Sequence, residues 1–304
     1  MKRILNCFAS DFKQVKGRDL LDSIRASEGR TVVSEIICSV QPLYSEISNP
    51  EIVAAFGSDF LLLNLFDVNN PSIEGIDSEG SEVIKRLKEL TGRPVGVNLE
   101  PVDLDVEAAE QLLELPLGRT ATTDSLVKVK ELGLDFICLT GNPKTGVSNK
   151  EILTAISRAK NILGEDAFII AGKMHGAGVK GEAGSDIIDD ETIKAFIDAG
   201  ADVILIPSPG TVPGITVERA NKWVSAVHKQ NALAMLTIGT SQEGADSDTI
   251  RRLALQNKMV GADIHHIGDG GYTGVAIPEN IMDYSIAIRG KRHTYIRMAA
   301  SINR

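Results

Sequence analysis

A lysine and a histidine, two side chains that can move a proton, lie two residues apart behind an apolar segment. They are Lys173 and His175, after Ala167-Phe-Ile-Ile-Ala-Gly. Residues two apart on a strand point to the same side, so the spacing predicts that both face one pocket. A lysine desolvated there loses basicity and can act as a general base or as a Schiff-base nucleophile. An ion-paired lysine and a hydrogen-bonded structural histidine are the alternatives.

Three acidic side chains end other apolar segments and are further catalytic candidates. They are Glu35, Asp67 and Glu100. One of them could assist Lys173 in proton transfer, and Asp67 with Glu100 could instead hold Mg²⁺ together with water. A salt bridge to Lys173 or Lys144 would use the same acids. The sequence has no HxH, HExxH or paired-cysteine spacing, so no zinc is expected.

Two glycine-rich segments predict a phosphate site. Glycine leaves backbone N–H groups unobstructed, and such groups at a helix N-terminus bind anions. Asp269 in the same region would repel a phosphate, and tight turns would explain the glycines equally well. The predicted phosphate ligands are Gly239, Thr240, Ser241, Gly268, Gly270 and Gly271.

Polar residues at the ends of the remaining apolar segments are predicted to contact the substrate. They are Asn64, Asn98, Thr140, Asn142 and Ser208.

Two other motifs are weaker. The glycines of 176–181 match GxGxxG, but no helix follows directly, so a mobile lid is expected here and NAD is not. His265 and His266 would point to opposite sides of a strand, so at most one can reach the pocket.

A repeat along the chain predicts the elements that position these residues. Four times a glycine ends a helical segment, and two residues later an aspartate opens an apolar run, at Asp59, Asp135, Asp202 and Asp263. One more apolar segment lies between each pair and one precedes the first, which makes eight strands. Helical patterns fill the intervals. The sequence therefore predicts an α/β protein, a (β/α)8 TIM barrel, with an open doubly wound sheet as the alternative.

The predicted organisation has three parts. An N-terminal helical extension covers 1–30, the barrel covers 31–290, and a basic tail ending in a C-terminal helix covers 291–304. Inside the barrel, a short helix is predicted from Asn49 and others over 79–90, 106–115, 123–132, 150–163, 191–199, 217–230, 248–260 and 278–288.

Composition limits the class of protein. The chain has 304 residues and a net charge of −9, which disfavours nucleic-acid binding. Three cysteines without a paired spacing favour the reducing cytoplasm, with Cys38 and Cys138 as small buried residues. No apolar run approaches the about 18 residues of a membrane span. Barrels often assemble and the basic tail could dock on a neighbour, so a homo-oligomer is expected.

The whole chain resembles an uncharacterised bacterial TIM-barrel family whose members are named phosphonomutase-like or haloacid-dehalogenase-like. The segment 133–146, with its following helix and strand, is similar to the BtpA barrel family. The first resemblance implies a Mg²⁺-dependent phosphonomutase-like lyase or a phosphatase, and the second implies a non-catalytic binding or assembly barrel. A phosphatase of that kind needs Asp-x-Asp-x-Thr/Val, whereas Asp103-Leu-Asp105 is followed by Glu107 in the last position.

Together the patterns predict a cytoplasmic barrel enzyme of lyase or isomerase type. Its substrate would be a small anionic, phosphorylated metabolite, and Lys173 with His175 would move a proton next to a carbonyl group. The three activities implied by resemblance remain as alternatives.

Overall fold

The computed structural model describes residues 2–269 and 274–304. Eight parallel strands pair in chain order, and the first pairs with the last, so the sheet is a closed barrel. This confirms the predicted (β/α)8 fold over the open sheet. The strands are β1 (Thr31–Ile37), β2 (Phe60–Asn64), β3 (Val95–Leu99), β4 (Phe136–Leu139), β5 (Phe168–Gly172), β6 (Val203–Pro207), β7 (Leu233–Ile238) and β8 (Ile264–Ile267).

Helices surround the barrel, and most begin within a few residues of the predicted positions. Gly290, with a φ of 74°, interrupts the last one. No helix in the described part of the chain is long and apolar enough to cross a membrane. The helices are α1 (Ala9–Phe12), α2 (Asp19–Arg25), α3 (Asn49–Ala55), α4 (Val83–Thr91), α5 (Thr123–Glu131), α6 (Asn149–Leu163), α7 (Asp190–Ala199), α8 (Val217–Lys229), α9 (Ser247–Val260) and α10 (Pro278–Ala299).

The helix predicted over 106–115 is wrong. This segment is irregular and runs beside the segment that follows β5, where Ala108 and Val179 form an antiparallel bridge. The Ala109 N–H donates to the Gly178 carbonyl at 2.8 Å. Backbone pairing between two loops therefore replaces the helical hydrogen bonds that the apolar spacing indicated.

The four repeated aspartates join neighbouring strands at the amino-terminal end of the barrel. Each carboxylate accepts a hydrogen bond from a backbone N–H near the start of the preceding odd-numbered strand, at 2.8–2.9 Å. Each aspartate also pairs with a basic side chain: Asp59 with Arg289 and Arg297, Asp135 with Lys88, Asp202 with Arg18, and Asp263 with His228. The repeat visible in the sequence thus corresponds to the same contact between neighbouring strands, formed four times around the barrel.

The N-terminal extension closes that end of the barrel. Phe12 packs edge-on against Phe60, with ring centroids 6.3 Å apart, and Phe136 stacks on Phe168 at 5.0 Å inside the barrel. Gly96 makes room for this cluster, since a Cβ there would lie 2.3 Å from the Phe136 ring. The interior is consequently sealed below, and the opposite end, where the strands finish, is the accessible one.

Candidate functional site

The side chains that point into the barrel change from apolar to polar at the carboxyl ends of the strands. Lower inward positions belong to one apolar cluster that includes Val33, Leu62, Cys138 and Ile264. Alternation along each strand places a polar group two residues further on. This polar layer consists of Glu35, Asn64, Asn98, Thr140 and His266, all buried.

A cleft of about 880 Å³ opens above this layer, and a small pocket of about 10 Å³ lies at its floor. Asn64, Asn98 and Thr140 line the floor pocket. Four residues line both spaces and so stand where they meet: Glu35, Asn142, Met174 and His175.

Glu35 is held by two donors. Its Oε2 lies 2.9 Å from His266 Nε2, and its Oε1 accepts from the Asn64 amide at 2.5 Å. Burial opposes ionisation, but the hydrogen bond from His266 and that from Asn64 bring the pKa of the Glu35 carboxyl below its usual value. Glu35 is therefore an ionised carboxylate at neutral pH. Because a carboxylate can only accept, His266 Nε2 is the donor in this hydrogen bond.

An amide network links Glu35 to a second carboxylate. The Asn64 and Asn142 side-chain amides exchange hydrogen bonds at 2.8 and 3.0 Å, and the Asn142 amide also donates to Glu100 at 2.9 Å. Glu100 in turn pairs with Arg119 at 2.7 Å. Glu100, predicted as catalytic, thus lies beneath the cleft and holds Asn142 and Arg119, and Arg119 lines the cleft.

His175 lies in the cleft as predicted for a pocket residue. Its Nδ1 accepts a hydrogen bond from the Ala177 backbone N–H at 3.2 Å, so the neutral ring carries its proton on Nε2. Burial lowers the pKa of His175 below its ordinary value, although the nearby Glu35 carboxylate opposes this. At pH 7 the side chain is a neutral imidazole with an Nε2–H donor.

Lys173 does not share the cleft with His175, contrary to the prediction. Its side chain is 1% exposed and pairs with Glu182, not with Glu35, Asp67 or Glu100. Burial lowers the pKa of Lys173, and the Glu182 carboxylate opposes that shift. On β5, Lys173 has the parity of Ile169 and so points away from the barrel interior.

Asp67 and Ser208 also lie away from the predicted site. Asp67 Oδ1 accepts the Asn69 backbone N–H at 2.8 Å and caps its own turn, so it does not join Glu100 as a ligand pair. Ser208 is buried among the helices, where its hydroxyl accepts from Asn257 at 2.7 Å. In the described residues, no three His, Cys, Asp or Glu side chains are grouped as metal ligands.

The predicted phosphate corner is only partly described. Gly239, Thr240, Ser241 and Gly268 line the cleft, whereas Gly270 and Gly271 lie outside the described residues. The Gly268 N–H donates to the Ile238 carbonyl at 2.8 Å and is thereby engaged within the barrel. The carboxylates of Glu243 and Asp269 also line this corner, which opposes phosphate binding there.

Three loops form the wall on one side of the cleft, and their lining residues fall within 109–113, 142–145 and 176–183. The segment 176–184 is anchored by Glu182, which pairs with Lys173 and accepts the Asn149 backbone N–H at 2.9 Å. The Gly146 N–H donates to the Ala177 carbonyl at 2.9 Å. The glycine-rich segment 176–184 is therefore held against the barrel by side-chain and backbone contacts.

Sequence reasoning did not identify Arg119, Glu182 or the role of His266. Strand parity could have found His266, because it is in phase with Ile264. His265 is out of phase and binds the Gly29 carbonyl at 3.0 Å, and burial lowers its pKa to about 4. Arg119 and Glu182 come from long loops, for which no local pattern signals the contact.

Three of the six described non-glycine residues with a positive φ line the cleft. Leu65, Ala177 and Ser241 line it and have left-handed φ angles of 53°, 51° and 82°. Residues other than glycine adopt this conformation at an energetic cost, and such sites cluster where a protein binds or reacts. These strained residues, the buried polar layer and the cleft thus lie at the same end of the barrel.

Comparison with known proteins gives a family and a fold. Residues 5–304 match the family described as Domain of unknown function (DUF7916), and the chain belongs to that family. No curated protein matches its sequence.

The solved structures that resemble this chain have low sequence identity to it. A protein assigned as a fructose-1,6-biphosphate aldolase from Coccidioides immitis is 12% identical with a TM-score of 0.52, and 95% of this chain and 98% of that one are covered. A protein assigned as a phosphonomutase from Burkholderia cenocepacia is 17% identical with a TM-score of 0.48, over 83% and 92%. A 2,3-dimethylmalate lyase of the PEP mutase/isocitrate lyase superfamily is 12% identical with a TM-score of 0.49, over 83% and 81%. The likeness to the first of these, with a TM-score above 0.5, is one of fold.

Proposed function

We propose that this member of the DUF7916 family is a barrel enzyme of lyase or isomerase type that moves a proton next to a carbonyl group. One observation carries the proposal. Glu35 and His175 are the two titratable side chains at the junction of the cleft and its floor pocket.

The two side chains have complementary protonation states. The Glu35 carboxylate is ionised and can take a proton from a carbon next to a carbonyl. As the C–H bond breaks and the O–H bond forms, the electron pair moves to the carbonyl oxygen. The Nε2–H of neutral His175 then stabilises the resulting enolate by a hydrogen bond.

Two other groups would position this pair. His266 orients the Glu35 carboxylate from below, and Asn142 faces it across the floor. Returning the proton to a different carbon gives an isomerase. A lyase forms an enolate of the same kind by another route: Glu35 takes the proton of a hydroxyl two carbons from the carbonyl, that oxygen becomes a new carbonyl as the carbon–carbon bond breaks, and the enolate left by the broken bond then takes up the proton. This is the kind of reaction that the name aldolase denotes.

Deuterium exchange in D₂O tests this chemistry without knowledge of the natural substrate. The probes are hydroxyacetone, butanone, hydroxypyruvate and 2-oxobutanoate, with proton NMR following loss of the signal next to each carbonyl. We expect enzyme-dependent exchange with at least one probe, reduced about 10²–10⁴-fold in Glu35→Gln and in His175→Ala.

The control is His228→Ala, which removes an exposed histidine at the closed end of the barrel. It should exchange like the wild type. Exchange that survives both Glu35→Gln and His175→Ala would refute the assignment of the pair. Probes that bind without any exchange would favour the non-catalytic binding barrel.

A further inference from the structure

Two buried polar atoms at the floor of the cleft have no hydrogen-bond partner in the described part of the chain. They are Asn98 Oδ1 and Thr140 Oγ1. Both residues are 4% exposed, and both line the floor pocket with Glu35 and Asn64. Leaving such atoms unpaired is costly, so the floor pocket is suited to a small polar group, such as a water or one group of a ligand.

The two carboxylates at the ends of the network determine which atom of each amide points where. Glu35 accepts only, so Asn64 must turn its amino group toward it and its oxygen toward Asn98. Asn98 must then donate to Asn64, at 3.2 Å, through its own amino group. The same argument from Glu100 orients Asn142. Asn98 lines the floor pocket, and its oxygen is consequently a fixed acceptor.

We infer that this floor pocket binds one hydroxyl group of the substrate, an inference that rests on the proposed function. A hydroxyl donates its hydrogen to Asn98 Oδ1 and accepts one from Thr140 Oγ1. A carboxylate has no hydrogen to donate at neutral pH, a phosphate is too large for the pocket, and the adjacent Glu35 carboxylate repels both.

Size and position narrow the class of compound. A volume of about 10 Å³ accommodates roughly one oxygen-sized group. Glu35 and His175 line this pocket and the cleft alike, so the hydroxyl lies next to the carbon where the proton moves. The substrate is therefore a hydroxycarbonyl compound whose hydroxyl-bearing carbon adjoins the carbonyl.

Matched probe pairs test the hydroxyl. Hydroxyacetone and butanone differ by a hydroxyl in place of a methyl group, and hydroxypyruvate and 2-oxobutanoate differ in the same way. Dissociation constants from saturation-transfer NMR titrations should favour the hydroxyl member of a pair about 10- to 100-fold.

Threonine variants locate the preference. Thr140→Val should reduce it to about threefold or less, and Thr140→Ser, which restores the hydroxyl, should recover it. Thr237→Val is the matched control, because Thr237 is also buried on a strand but donates to the Ile206 carbonyl at 3.2 Å and lines neither space. Its preference should equal that of the wild type.

The binding and exchange measurements separate this inference from the proposed function. Exchange without a hydroxyl preference overturns the hydroxyl pocket and leaves the proposed function standing. A hydroxyl preference that depends on Thr140, found without any exchange, overturns the proposed function and leaves the hydroxyl pocket standing. Absence of both binding and exchange with every probe overturns both.

Discussion

Asp59 is the charge on which the closed end of the barrel depends. It is fully buried, its Oδ2 lies 2.6 Å from Arg289 Nη1, and its Oδ1 lies 2.7 Å from Arg297 Nε. Burial opposes its ionisation, but the charges of Arg289 and Arg297 lower the pKa of Asp59. Asp59→Asn keeps the size and can still accept from the Val32 N–H, but it leaves both buried guanidiniums without a counter-charge.

The magnitude follows from burial. Removing one member of a buried ion pair costs about 3–5 kcal/mol of the free energy of unfolding. With an unfolding entropy of about 2.1 cal/mol/K per residue, 304 residues give about 0.6 kcal/mol/K. Asp59→Asn should therefore lower Tm by roughly 5–8 °C.

Asp135→Asn is the matched control, since Asp135 occupies the equivalent place in the fourfold repeat. Its partner Lys88 is 27% exposed and can turn into water, so a loss of about 1 kcal/mol, or roughly 2 °C, is expected. Scanning calorimetry of both variants and the wild type measures the difference. Equal shifts, or a larger shift for Asp135→Asn, would refute the reasoning that burial sets the energy.

Two further predictions concern the open end of the barrel. The exchange rate should be constant near pH 7 and fall only below the ordinary histidine pKa of about 6.5. The reason is that the active forms are ionised Glu35 and neutral His175, and the pKa values of both side chains are lowered. A pH–rate profile that still rises between pH 7 and 8 would contradict this. Glu182→Gln deprives buried Lys173 of its partner, so limited trypsin digestion after Lys180 should be at least about tenfold faster. Glu107→Gln, which removes only an exposed pair with Lys180, should cut at about the wild-type rate.

The barrel could be predicted because its signals are local. A glycine that ends a helix and an aspartate that opens a strand act within a few residues, and Asp135 and Asp202 show the same backbone contact four elements apart. The helix predicted over 106–115 failed for the opposite reason. Its apolar spacing is helical, but its backbone pairs with Val179, which is distant in sequence.

The site was predicted only in part, because strand parity was not followed from the core outward. Counting from buried Val33 and Leu62 places Glu35 and Asn64 inside the barrel. The same count from Ile169 and Ile204, which face the helices, places Lys173 and Ser208 outside. Arg119 could not be found in this way, because a loop brings it to Glu100.

The two ends of the barrel divide stability and reactivity between them. At the closed end, each repeated aspartate has a basic partner and a backbone donor, so its carboxylate is compensated. At the open end, Asn98 Oδ1 and Thr140 Oγ1 are buried without a hydrogen-bond partner in the described chain, and Ser241 has a left-handed backbone. Features of this kind cost stability, and proteins keep them where binding uses them. The fourfold repeat therefore stabilises the closed end, while the polar floor of the open end offers an acceptor and a hydroxyl to a small polar group.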